Sequence, residues 1–320
     1  MPQSFFVVSG ENVELARDEV IAISKSYDTK TSFKTDSRLV ITNSSIPWSK
    51  VSQRATFVRT AGKIVGTFSD LFSEADLSLL HKPETFACRA INLTSKKLDL
   101  SEIEKTTGAA IKQTSGARVS LPNPSLTVYL IFTDSQNYLG YTTKTTEPKR
   151  PKKVIKSSSE LHWKLSRAMV NLSGLNENEI LCDPFCGSGT ILLEAESMGI
   201  RSIGIDFDEK MCNIAKKNLS SNGFNSKIIN AGYQYIQEIK DRIDGIVTDL
   251  PYGNASKTSQ SPKKLVQDFI SILPKKKKIA IMYKKGTIDQ IELNPAKKYD
   301  IYRHKSLTRV ISVRNSVMST

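Results

Sequence analysis

In "TDLPYG", residues 248–253, an acid is followed by leucine, proline and tyrosine, and the preceding "DRIDGIV" reads as a buried strand that delivers Asp249 to its carboxyl end. Such a group suits a planar amine. An exocyclic amine on a nucleobase is a poor nucleophile because its lone pair is delocalised into the ring, so an enzyme must hold it with that lone pair aimed at the electrophile. Asp249 can accept one N–H and the carbonyl of Leu250 the other, while Pro251 stiffens the loop. Tyr252 offers a face for stacking, a contact worth about 1–3 kcal/mol. Positioning of this kind supplies most of the rate. Whether Asp249 also takes the proton stays open from the residues alone, and a solvated acidic turn is the plainer alternative.

A second constellation lies upstream. "LCDPFCGSGTILLEA" (181–195) reads as strand, glycine turn and helix, the geometry in which a ligand approaches backbone N–H groups. A mononucleotide loop would carry a lysine after its last glycine, and here Gly189 is followed by Thr190 and Ile191; a dinucleotide fingerprint would carry a third glycine where Leu192 stands. The sequence carries acids instead: Asp183 before the turn and Asp206 at the end of the next strand, in "SIGIDFDEK". Asp206 can accept both hydroxyls of a ribose, Phe207 can cover an adenine face, and Asp183 would repel a pyrophosphate but suits a cationic group. S-adenosylmethionine meets these demands, with a ribose, an adenine, an ammonium and a sulfonium and no phosphate. Taken singly, Asp183 reads equally as a turn cap and Asp206 as a helix N-cap.

These residues need a scaffold that brings them together. From residue 157 to about residue 290 strand-like and helix-like runs alternate, the mark of an open, mostly parallel sheet with helices on both faces, and "YDIYRHKSLTRVISVR" suggests a closing edge hairpin. In that sheet Asp249 ends the fourth strand and lies beside the glycine turn. "ELHWKLSRAMVNLSGL" is expected as an amphipathic helix with Leu161, Leu165, Ala168, Met169 and Leu172 on one face. Residues 1–76 read as a small α+β unit with Val13, Ala16, Val20 and Ile23 at helical spacing. Residues 77–140 read as a second unit: a strand, a helix opened by Ser101 as N-cap with Glu104 three residues on, and the β-branched strand "SLTVYLIF". Residues 141–156, including "TTEPKRPKKVIK", read as an extended basic linker before the domain at 157–320.

The formal net charge is +14, and the excess begins at "PKRPKKVIK" and continues with "PKKKK" at 274–278, whereas the chain before it is nearly balanced. With no apolar run near the roughly 20 residues of a membrane span, this points to nucleic-acid phosphates as the partner. Lys149, Arg150, Lys152 and Lys153 are the candidate phosphate contacts. Four cysteines (Cys88, Cys182, Cys186, Cys212) without paired metal spacing and only three histidines give no expectation of a metal or a disulfide framework. The expectation is a monomeric, cytoplasmic protein.

The strand "FACRA", the helix "LSEIEKTTGAAI", "VSLPNP" and the strand "LTVYLIF" resemble the THUMP module, an RNA-binding domain of several tRNA-modifying enzymes, with matches at Phe86, Arg89, Ser101, Gly108, Val119, Asn123 and Pro124. "TDLPYG" resembles the Asp-Pro-Pro-Tyr motif of amino-group methyltransferases. Together with "DPFCGSGTILLEA" and "LSRAMVNLSG", the chain from about Phe86 onward is similar to the archaeal tRNA guanine-N2 methyltransferases that act at position 10 of tRNA. That resemblance implies a ferredoxin-like unit at 1–76, THUMP at 77–140 with Arg89 on RNA, and a Rossmann-like class I methyltransferase domain at 157–320. It implies Asp183, Pro184, Phe185, Gly187, Gly189, Asp206, Phe207, Asn230 and Ala231 around S-adenosylmethionine, and Asp249 to Tyr252 on the target amine of a tRNA guanine. Two positions depart from the pattern: Leu250 replaces the first proline, and Asn230 stands where a third acid often binds the adenine amino group. Rival readings are an inactive RNA-binding protein, which would be expected to have lost an acid or a glycine, and a DNA amino-methyltransferase, which the THUMP-like module disfavours. A THUMP-type thiolation enzyme would need an ATP-binding loop that the sequence lacks.

Overall fold

The computed structural model describes residues 3–68, 83–144, 150–155, 161–251, 261–287, 297–304 and 307–315. The chain forms two compact units, the second made of Lys149–Thr320 with the short pieces Lys25–Tyr27 and Arg54–Thr56, the first of the remainder.

The first unit is built on a sheet that combines β1 (Gln3–Val8), β2 (Ser32–Asp36), β3 (Leu39–Asn43), β4 (Val58–Phe68), β5 (Thr85–Asn92), β6 (Arg118–Val119), β7 (Leu126–Phe132) and β8 (Asn137–Thr143), in the order β2-β3-β1-β4-β8-β7-β5-β6. Strands from the two expected N-terminal modules therefore share one sheet through the β4–β8 pairing, and the expected boundary at 76/77 lies outside the described residues. Gly62 and Gly140 permit that pairing, because a Cβ at either would fall under 3 Å from the Phe5 ring and from the facing strand's backbone. Helix α1 (Val13–Tyr27) is capped by Asn12 and buries Ala16, Val20 and Ile23; α2 (Trp48–Arg54) is short. Helix α3 (Leu100–Ser115) begins two residues earlier than the sequence suggests, with Asp99 and not Ser101 as its N-cap, its carboxylate accepting from the Glu102 N–H at 3.1 Å. Glu104 then reaches away from the helix start to accept the Ala90 N–H of β5 at 2.9 Å.

The second unit carries the alternating pattern. Its strands β9 (Ile180–Asp183), β10 (Arg201–Asp206), β11 (Lys227–Asn230), β12 (Gly245–Asp249) and β13 (Lys278–Lys284) run parallel, and β14 (Lys297–His304) and β15 (Leu307–Arg314) form the expected antiparallel hairpin, in the order β11-β10-β9-β12-β13-β15-β14. Strand order reverses between β9 and β12, so the carboxyl ends of those strands flank the switch point where ligands bind in such sheets. Helices α4 (Trp163–Leu172), α5 (Thr190–Ser197), α6 (Glu209–Ser220), α7 (Ile236–Ile239) and α8 (Pro262–Ser271) connect the strands, and a core of Cys182, Ile205, Ile246, Leu265, Phe269, Ile279 and Ile281 packs between layers.

Helix α4 corrects the expectation of one apolar face: every residue from Leu165 to Leu172 is buried, including polar ones. Arg167 can be buried because its Nε donates to Glu194 of α5 at 2.7 Å and its Nη2 to Ser197 at 2.7 Å. "PKKKK" is not wholly a solvated turn either, since Lys278 opens β13 and donates to both oxygens of Glu179 at 2.6 and 2.8 Å. All four cysteines are free and buried, and no group of metal-binding side chains occurs among the described residues. No helix among them is long and apolar enough to cross a membrane.

Candidate active site

The turn after β9 is shaped by two left-handed glycines, Gly187 at φ +50° and Gly189 at φ +83°. Gly189 fits against α6, where a Cβ would meet that of Ala215 at 3.3 Å, while a Cβ on Gly187 would meet nothing within 4 Å, so the turn is open there. The Gly187 N–H donates to Asp206 Oδ2 at 2.8 Å and the Asp208 N–H to Asp206 Oδ1 at 2.9 Å. Asp206 thus ties the glycine turn to the end of β10, and Asp208, not Asp206, caps α6. A carboxylate has about four lone-pair sites, so two remain for hydroxyls. Phe207 beside it is half exposed. Burial pushes the Asp206 carboxyl above the usual range.

Asp183 is fully buried at the end of β9, and its Oδ1 accepts the Thr248 hydroxyl at 2.6 Å and the Phe185 N–H at 3.2 Å. Burial pushes its carboxyl up to about 7, outweighing those two hydrogen bonds. Among the described residues its hydrogen-bond partners are the Thr248 hydroxyl and the Phe185 N–H, both neutral. Pro184 is buried, and Phe185 packs its ring on Tyr233 (centroids 5.4 Å apart) and Phe269 (5.2 Å), so its side chain belongs to the core. Asn230 donates from Nδ2 to the carbonyls of Asp206 (3.0 Å) and Phe207 (2.9 Å), and the Ala231 N–H also donates to Asp206 O. An acid at position 230 could not make those bonds, which accounts for the amide.

Asp249 ends β12, one residue past Thr248, so the two expected sites are joined through a single hydroxyl. Its carboxylate is held by Arg309 of β15: Nη1 donates to Oδ2 at 3.0 Å and Nη2 donates to Oδ1. Leu250 is buried, and its N–H donates to Met282 O at 2.8 Å, a bond that the proline of the family motif could not make. Leucine here extends the β12–β13 pairing by one residue and anchors the loop that a second proline would have stiffened. Pro251 is partly buried, and Tyr252 lies outside the described residues.

Residues 150–155, expected as a solvated linker, lie along α6. Asn222 accepts the Lys152 N–H and donates to its carbonyl, both at 2.9 Å. Asn218 accepts the N–H groups of Val154 and Ile155 and donates to the carbonyls of Ile155 and Ser188. Lys153 donates from Nζ to Ser188 (2.8 Å) and Thr190 (2.6 Å), which places it on the glycine turn, and Arg150 lies over the Trp163 ring near Glu194. Lys152 remains exposed, and Lys149 lies outside the described residues. In the first unit, Arg89 is ion-paired with Glu104 at 3.8 Å and donates to Cys88 O.

Residues 150–287 match a family described as an RMKL-like methyltransferase domain. Over 158 residues, 47% of this chain and 96% of the relative, the sequence is 35% identical to a probable tRNA (guanine(10)-N2)-dimethyltransferase of Methanothermococcus thermolithotrophicus. The chain belongs to the tRNA (guanine(10)-N2)-dimethyltransferase family. The relative of that name in Methanocaldococcus jannaschii is 26% identical over 98% of this chain and 99% of its own. The crystal structure of TrmN from Thermus thermophilus shares the fold, with a TM-score of 0.56 at 18% identity over 98% of this chain and 99% of that one.

Membership in this methyltransferase family makes S-adenosylmethionine the cofactor, and the residues fit it. Asp183 would face its ammonium with a buried acid, Gly187 would offer the open turn, Asp206 would accept from the ribose hydroxyls and Phe207 would present an exposed ring to adenine. Thr248, Arg309 and Lys153 are the members of this neighbourhood whose positions sequence reasoning missed. A threonine next to an expected catalytic acid carried the only local signal.

Proposed function

We propose that this protein methylates the exocyclic N2 amino group of a guanine in tRNA, at position 10, adding one or two methyl groups. The observation that supports the reading is that Asp249 follows Thr248, whose hydroxyl is bonded to Asp183 at 2.6 Å, because an acid there could hold an amine close to a cation bound at Asp183. When bound, S-adenosylmethionine supplies an electrophilic methyl group whose bonding electron pair leaves with sulfur. The chain's own task is to hold the nucleophile. Asp249 and the Leu250 carbonyl accept the two N–H groups of the guanine amine, leaving its lone pair aimed at the methyl carbon, and Tyr252 stacks on the base. The proton then shed by nitrogen passes to water or a carboxylate.

Residues 77–140 act in this reading as a THUMP module that binds tRNA and measures the distance to the target, with Arg89 at its surface. The protein works as a cytoplasmic monomer and needs no metal. Incubation with tritiated S-adenosylmethionine and tRNA, followed by digestion to nucleosides, is expected to give labelled N2-methylguanosine or dimethylguanosine; label in any other nucleoside, or none, refutes the reading.

The basic segment divides into two roles. Lys152→Ala is expected to lower the slope of log affinity for tRNA against log salt by about one unit, since an exposed lysine on a phosphate releases one counterion. Lys153→Ala is expected to leave that slope unchanged and to weaken cofactor binding several-fold, because its ammonium braces Ser188 and Thr190. Filter binding across salt and calorimetry with S-adenosylhomocysteine separate the two, and equal salt slopes for Lys152→Ala and the parent would remove Lys152 from the interface.

A further inference from the structure

The two-point contact between Arg309 and Asp249 bears on the question that the sequence left open, the fate of the substrate proton. Arg309 stands on β15 opposite Lys284, two residues beyond Met282, the partner of Asp249 on β13. Pairing parity puts Asp249, Met282, Lys284 and Arg309 on one face of the sheet, so the arginine reaches across a whole strand to the acid. Its side chain is only 3% exposed and that of Asp249 19% exposed. A guanidinium removed from water to this degree is tolerated only when well paired, and its planar fork matches a carboxylate at both oxygens. We infer that Arg309 is a positioning residue for methyl transfer, fixing the plane of the Asp249 carboxylate and keeping it an ionised hydrogen-bond acceptor that does not take up the substrate proton.

This inference rests on the proposed function. Two of the four lone-pair sites of the carboxylate are used by the fork, which leaves two for an amine N–H. Burial pushes the Arg309 guanidinium down to about 10, which still leaves it cationic near neutral pH. A carboxylate facing a fixed cation is a weaker base than a free one. The nitrogen lone pair forms the new N–CH3 bond as the C–S pair leaves on sulfur, and the N–H proton is released to water.

Among the described residues, the other charged groups on this edge include Asp183 and Asp206 at the ends of β9 and β10, Lys284 on β13 and the Lys285–Asp300 ion pair beside it. Asp183 acts through cofactor affinity, so the test uses saturating cofactor. Single-turnover methylation of tRNA is measured from about pH 5.5 to 8.5 for the parent, Arg309→Gln and Arg309→Lys, with S-adenosylhomocysteine affinity and melting temperature measured for each. The parent is expected to show a flat rate. Arg309→Gln is expected to lose about 10–100-fold at neutral pH, because the carboxylate loses the fork that fixes its plane, and to gain an acid limb, because it loses the cation that favours its charged form. Arg309→Lys, a point charge without the fork, is expected to recover part of the rate and the flat profile.

An active parent matched by Arg309→Gln in rate and profile overturns the inference alone. A rate loss with no acid limb and no recovery in the lysine variant also overturns it, assigning Arg309 to structure. A parent that methylates no tRNA guanine overturns the functional reading and this inference with it. Should the glutamine variant fail to fold, a lysine variant with the parent's full rate overturns the positioning role, whereas a folded lysine variant with a reduced rate and the parent's flat profile supports it.

Discussion

Asp183→Asn should lose the cofactor and yet melt higher than the parent at pH 8. The folded-state carboxyl is pushed up to about 7 from an ordinary value of 3.8, so between those values the folded protein binds a proton that the unfolded chain has released. Stability therefore falls as pH rises from about 4 to 7, and the buried charge then costs on the order of 4 kcal/mol. Asparagine carries no charge and can still accept the Thr248 hydroxyl, so its stability lacks this decline. At about 2–4 °C per kcal/mol, the variant gains roughly 10 °C at pH 8 and little at pH 5. Cofactor affinity moves the opposite way. The parent binds more tightly as pH rises toward 7, whereas the variant, having lost the partner of a cation, binds about 100-fold more weakly. Thermal melts at the two pH values with calorimetry on S-adenosylhomocysteine decide it; a variant that binds normally, or that is destabilised equally at both pH values, would remove Asp183 from the cofactor site.

Asp249→Ala should abolish methyl transfer by about a thousandfold or more while S-adenosylhomocysteine affinity changes less than about threefold. The variant should also be less stable, by about 3 kcal/mol, because it leaves the buried Arg309 guanidinium without its carboxylate. That second effect would not follow from an acid standing alone in a loop. Asp249→Asn separates the two, retaining an acceptor oxygen but presenting an amide N–H2 to the fork. Single-turnover rates and chemical denaturation of both variants give the answer, and an alanine variant with native stability would contradict the ion pair.

The second unit was largely legible in the sequence because its strands and helices alternate over short local runs, each with its own hydrophobic period. From that alternation alone, the rule for strand order in doubly wound sheets put Asp249 beside the glycine turn. What escaped was tertiary. Arg309 and Asp249 are 60 residues apart and meet only through the register of β13 and β15. A lysine in a polar run has no periodic signature, so Lys153 gave no sign of reaching Ser188. Asp99 and Ser101 are both good caps, and only the chain's entry into α3 decides between them. Leu250 looked like a loss of rigidity because a missing proline is visible in a sequence and a gained N–H bond to Met282 is not.

Asn218 and Asn222 recognise residues 152–155 through main-chain N–H and carbonyl groups. Side chains in that stretch are therefore under little selection for docking, provided that no proline removes a donor at 152, 154 or 155. Apart from Lys153, which is tied to the cofactor turn through Ser188 and Thr190, lysines can be gained or lost along it without unseating the segment, so the affinity of the enzyme for an anionic substrate can drift over evolutionary time while the fold stays unchanged.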